Sequence, residues 1–174
     1  MCCRQSLTSS HLSCGRHGHG VYKHPTPSVH GLWPETGKYG NSVCMRPKDA
    51  RGPKNMRSPR IHCFPDLKLA KHEWEVHGKC AGSKNALDYF EQICDLAEEP
   101  LRMMKEVMAS TRVHRVKGLK GMERELSHTG MHVWYVDTHE SQLYLSACAD
   151  KDGRWQLAPP GPTDEPEFDA VCAL

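Results

Sequence analysis

Nine cysteines spread over 174 residues set the first constraint on what this chain can fold into. Thiols at that density are uncommon in reducing compartments and typical of extracytoplasmic domains closed by disulfides. Composition shows why such staples would matter. Only 38% of residues are hydrophobic and the mean hydropathy is −0.64, a thin supply for a self-sufficient core. The cysteine count is odd, so at least one thiol stays free or pairs between chains. The length suits a single domain over residues 1–174 rather than two, and a monomer is the expectation.

The formal charge of +2 is weakly basic and neither demands nor excludes a polyanionic partner. No run approaches the 18 or more apolar residues of a membrane span, so no membrane partner is expected. The opening "MCCRQSLTSS" lacks the charged-then-apolar order of a signal peptide. The cysteines still argue for a secreted, periplasmic or otherwise extracytoplasmic location, with the export signal absent from this chain.

Residues 1–28 are rich in Ser, Gly, His and Cys without apolar periodicity, and read as an irregular arm. "VHGLWP" reads as a short strand stopped by Pro34, and the proline-broken basic stretch "MRPKDARGPKNMRSPR" as a loop. Leu67, Leu69, Ala70 and Trp74 suit a short amphipathic helix from Asp66 that ends near Gly78. Ala86, Tyr89, Phe90, Ile93 and Ala97 recur at helical spacing, and Pro100 should break or restart that helix. Methionines 103, 104 and 108 read as core filler. "MHVWYVD" and "QLYLSAC" are β-rich and separated by "THES", a hairpin pattern, with a further turn at Asp152-Gly153. Helices in the middle and antiparallel strands late give an α+β class, helices packed on an antiparallel sheet. Neither glycine-rich phosphate loop is present.

The chemistry concentrates in "HEWEVHGKC", residues 72–80. A helical zinc pair needs two histidines four residues apart on one face, whereas His72 and His77 are five apart, about 140° around a helix. The cysteines form no C-x-x-C pair, so no metal and no cofactor are expected. Acid–base chemistry fits better. Two imidazoles near neutrality serve as base and acid in one turnover, with a carboxylate such as Glu73 to assist. The second imidazole has to come from elsewhere, and His30 is the candidate, flanked by Gly31, Trp33 and Pro34. Read alone, His30 is more often structural, Trp33 core and Glu73 a solvated helix residue.

Taken together, "VHGLWP" and, some forty residues later, "HEWEVHGKC" resemble the two active-site segments of the ribonuclease T2 family, HGLWP and HEWxKHGxC. The resemblance implies an α+β fold and cleavage of single-stranded RNA through a 2′,3′-cyclic phosphate without metal. On matching positions it implies His77 as general base, His30 as general acid, Glu73 as support for the phosphorane and His72 as a phosphate ligand. DNA, which lacks the 2′-OH, would not react. Trp33 would stack a base, with Glu35 and Tyr39 as edge contacts. The resemblance further implies disulfides Cys3–Cys14, Cys44–Cys80 and Cys148–Cys172, leaving Cys2, Cys63 and Cys94 unassigned.

Two departures stand out. The family usually has an apolar strand ahead of the position matching Cys3, and this chain begins at Met1 with no such strand. Val76 stands where the family has lysine, so activity is expected to be weakened; the alternative is a catalytically impaired, ribonuclease-like RNA-binding protein.

Overall fold

The computed structural model describes residues 2–8, 26–35, 47–52, 61–109, 118–138 and 142–158. Strands run over Cys2–Thr8 (β1), Ser28–Glu35 (β2), Val133–Asp137 (β3), Gln142–Ala149 (β4) and Trp155–Ala158 (β5). Helices run over Leu67–Val76 (α1), Ala86–Ala109 (α2) and Gly118–His128 (α3), with a single 3-10 turn at Gly78–Cys80. All strand pairs are antiparallel, in the order β2-β1-β4-β3, and β5 also pairs with β4. The result is the expected α+β architecture.

The first correction concerns the amino-terminal arm. Residues 2–8 are not irregular but form β1, inside the sheet, paired with β2 on one side and β4 on the other. This strand contains Cys3 rather than preceding it, and "CCRQSLT" has no apolar run to announce it. Two ladders satisfy its backbone, so pairing rather than propensity decides its conformation. The second correction concerns Pro34, which does not stop β2; the strand continues to Glu35. β2 lies at the edge of the sheet, where a residue without an N–H is tolerated.

α1 begins as expected. The Asp66 carboxylate caps it by accepting from the Leu69 N–H at 2.8 Å, and Leu69, Ala70, Glu73 and Trp74 form its buried side. α2 contradicts the expected break, running through Pro100 for 24 residues. The proline costs roughly 3 kcal/mol, but Leu101 and Met104 beyond it continue the buried stripe of Phe90, Ile93 and Ala97. Burying two such side chains contributes roughly 1.5–3 kcal/mol each, enough to offset the cost. Met103 and Met104 are buried as filler, and Met108 packs against the same core. α3 has no counterpart in the sequence reading, although Leu119, Met122 and Leu126, all buried, recur at helical spacing.

The β3–β4 hairpin is present, and Gly153, at φ +77°, supplies the left-handed turn between β4 and β5. The core lies between the helices and one face of the sheet. It takes Val29 and Leu32 from β2, Leu143, Leu145 and Ala147 from β4, with Val133 and Val136 of β3 packed against it.

Two of those pairs break the strand rule that residues three apart point to opposite faces. In each case the register explains it. Val29 and Leu32 face Leu7 and Gln5, so three residues of β2 span what two cover in β1. Val133 and Tyr135 face Leu145 and Tyr144, so β3 also carries one extra residue, at Trp134. Each irregularity lets two adjacent residues share a face. In β2 these are His30 and Gly31, which join Trp33 on the side away from the Val29–Leu32 core.

Candidate active site

Four side chains from two motif segments converge. His30 and Trp33 share a face of β2, with rings edge-to-face at 5.2 Å. From α1, the buried Glu73 carboxylate meets both. Its Oε2 accepts from Trp33 Nε1 at 2.8 Å, and its Oε1 lies 3.4 Å from His30 Nε2. His77, one helical turn after Glu73, forms the C-cap of α1, its N–H donating to the Glu73 carbonyl at 3.0 Å. The spacing of four sets both residues on one side of the helix, and the His77 ring lies 5.5 Å from Trp33.

Each glycine between these residues has a steric reason. A Cβ on Gly31 would stand 1.9 Å from Glu73 Oε2 and 2.8 Å from Trp33 Nε1, so only glycine admits the carboxylate. A Cβ on Gly78 would stand 2.6 Å from Trp74 and 2.9 Å from Tyr89. Those rings are packed on each other at 5.7 Å beneath the turn. Tyr89 also reaches the outer edge of β2, where its hydroxyl donates to the Leu32 carbonyl at 2.9 Å and accepts from the Leu32 N–H at 3.4 Å. Nearby, the Val29 N–H donates to the Cys63 carbonyl at 2.8 Å, and Cys63 is disulfide-bonded to Cys94 of α2. α2 thus holds the strand that carries His30 and Trp33.

Burial separates the titrations of the site. Desolvation pushes Glu73 up to about 7, against the opposing hydrogen bond from Trp33. Desolvation pushes His77 down to about 4, and the charges of His72 and His30 push the same way. Between those values His77 is a neutral base while the Glu73 carboxyl retains its proton.

His30, Trp33, Glu73 and His77 are therefore brought together. His72 is exposed on α1 and acts on His77 through its charge. Glu35 ends β2, but its side chain lies outside the described residues, as does all of Tyr39. Cys80 and Cys148 are each disulfide-bonded, while Cys14, Cys44 and Cys172 lie outside the described residues and Cys3 is described by its backbone alone. The Cys63–Cys94 bond joins two cysteines that the sequence left unassigned. Sequence reasoning also missed Tyr89, whose helical spacing marks it as core but says nothing of its hydroxyl, and Tyr144, whose ring lies 5.6 Å from Trp33. Among the described residues no group of three His, Cys, Asp or Glu could hold a metal ion.

A family model described as the ribonuclease T2 family matches residues 1–116. Ribonuclease T2 of Sus scrofa is 34% identical over 83 residues, which cover 41% of this chain and 42% of that protein. The match therefore spans less than half of that relative's length. An RNase-related protein from Calystegia sepium superposes with a TM-score of 0.49 at 17% identity, over 98% of this chain and 96% of that one. Japanese pear S3-RNase superposes with a TM-score of 0.41, also at 17% identity and over the same shares of the two chains.

Proposed function

Because the chain belongs to the ribonuclease T2 family, we propose that it is an endoribonuclease that cleaves single-stranded RNA by transphosphorylation, without a metal ion. His77 takes the 2′-OH proton, the 2′-oxygen attacks phosphorus, and the bond to the 5′-oxygen breaks as His30 protonates that leaving oxygen. The products are a 2′,3′-cyclic phosphate and a 5′-OH end. The Glu73 carboxyl directs its proton to the phosphorane, His72 binds the phosphate, and Trp33 stacks a base, with Glu35 and Tyr39 as edge contacts. RNA carries its own nucleophile, so positioned proton carriers and charge complementarity suffice.

The observation that carries this reading is the Glu73 carboxylate, 1% exposed in its side chain, held between His30 and Trp33, with the depressed imidazole of His77 one turn away. A buried acid raised toward neutrality beside a base lowered below it is the pairing that acid–base catalysis near pH 5–6 requires. Val76 favours a weakened enzyme. Lys79, the nearest following cation, pairs with Glu75, which supports the view that it does not replace the family's lysine. The Cys63–Cys94 bond supports an oxidising, extracytoplasmic location.

Incubating the protein with ApU, with and without a chelator, tests the proposal. Chelator-resistant cyclic-phosphate product is expected, and His30→Ala and His77→Ala should each abolish most of it while leaving the far-UV spectrum intact. Absence of product, loss of product on chelation, or near-native rates in either variant would overturn it.

A further inference from the structure

Trp33 is the first member of a longer aromatic row. Its ring lies 5.6 Å from Tyr144 of β4, which lies 5.6 Å from Tyr135 and 6.3 Å from Trp134 of β3. Trp134 and Tyr135 are themselves 5.7 Å apart. None of the four belongs to the helix-side core. Trp33 and Trp134 are part-exposed, and Tyr135 is 50% exposed.

The register shows that this face is built. In a regular strand Trp134 and Tyr135 would point to opposite faces. The extra residue in β3 sends Val133 and Val136 to the core and leaves both intervening rings against Tyr144. The same device in β2 gathers His30 and Trp33 on one face. A cross-strand Tyr135–Tyr144 pair alone is a common way to stabilise a sheet, but it does not account for a tryptophan turned to the same side.

The geometry points to an extended RNA-binding track. Resting on the ribonuclease reading above, Trp134 and Tyr135 stack a base of the single-stranded substrate beyond the two nucleotides that flank the cleaved bond. The occupant follows from continuity, since the row begins at the Trp33 ring beside His30 and His77 and leads away in ring-to-ring steps. Aromatic faces hold bases of any sequence, because every base has a π-face. The track therefore sets a preference for longer strands without changing the chemical step.

The test compares ApU with the hexanucleotide A6 as substrates for the wild type, Tyr135→Ala, Trp134→Ala and Tyr135→Phe. Loss of one base–aromatic stack lowers kcat/KM on A6 by about fivefold or more. The loss should appear in KM, with ApU cleavage within about twofold of wild type and Tyr135→Phe retaining most of the A6 advantage. Equal losses on both substrates, or unchanged A6 cleavage in both alanine variants, would overturn the proposal. If the wild type cleaves neither substrate, the failure lies with the catalytic reading, and the track is judged by fluorescence titration with the unreactive d(A)6. Weaker d(A)6 binding by the alanine variants then supports it, and equal binding overturns it.

Discussion

Gly31→Ala tests the steric logic of the site most directly. The new methyl would stand 1.9 Å from Glu73 Oε2 and 2.6 Å from its Cδ, so the carboxylate must retreat by about 1.5 Å to regain an ordinary 3.4 Å contact. The Trp33 hydrogen bond, now 2.8 Å, would be lost with that movement. Overpacking a close-packed site costs about 1–3 kcal/mol, which for a chain of this size lowers Tm by about 2–4 °C per kcal/mol. Misplacing a reacting group by about 1 Å costs roughly 100-fold in rate, so kcat on ApU should fall by about that factor. The backbone of Gly31 is not left-handed, so strain in φ plays no part; the effect belongs chiefly to the carboxylate, with a second close approach of 2.8 Å to Trp33 Nε1. Adding Glu73→Ala removes the two closest of the clashing atoms, leaving the approach to Trp33 Nε1, and should recover part of the lost Tm without recovering activity, a coupling that thermal unfolding and ApU kinetics measure together. Wild-type kcat in Gly31→Ala, or additive Tm losses in the double variant, would refute the argument.

Activity should peak between about pH 4 and 7, falling on the acid side as His77 protonates and on the alkaline side as Glu73 ionises; Glu73→Gln should remove the carboxyl's share of the alkaline limb and leave the share set by His30, which must still carry a proton. The Glu73 folded-state value lies above its unfolded one, so stability from this group is lost as pH rises from about 4.5 through 7. The fall in Tm from pH 5 to pH 8 should therefore be smaller in Glu73→Gln than in wild type. Val76 ends α1 with 52% exposure, so a lysine there meets no steric barrier. Val76→Lys should raise kcat at least about tenfold with KM little changed, because the added charge acts on the transition state; an unchanged kcat would mean that another cation fills the role. The Cys63–Cys94 bond closes a separation of 31 residues, worth about 4 kcal/mol in the chain-entropy model, and Cys63→Ala/Cys94→Ala should show that loss in denaturant unfolding.

Much of the site was readable because its chemistry is local. His72, Glu73 and His77 lie within one helix and its cap, and Asp66 announces where that helix starts. The β3–β4 hairpin was readable for the same reason. What escaped depends on neighbours distant in sequence. Cys2–Thr8 becomes a strand because β2 and β4 flank it. The shifts that place His30 with Trp33, and Trp134 with Tyr135, are properties of paired strands and leave no mark in either strand alone. Pro34 and Pro100 were overweighted as breakers, the first because edge position is invisible in sequence, the second because burial on both sides outweighs one missing hydrogen bond. Tyr89 reads as a hydrophobic helix residue until the Leu32 backbone is seen above its hydroxyl.

The position of β1 governs the order in which the domain can assemble. Its ladder to β2 joins segments some 30 residues apart, whereas its ladder to β4 joins Cys2 to Cys148 and Thr8 to Gln142. Pairings of such unequal separation form at unequal speeds, since closing the longer loop requires more chain entropy to be lost before any contact offsets it. The strand carrying His30 and Trp33 can meet β1 early, but the platform beneath the site is finished only when residues 142–148 dock. Until the chain is long enough to include β4, Trp33 lacks the Tyr144 ring beside it and β1 holds only one of its two ladders.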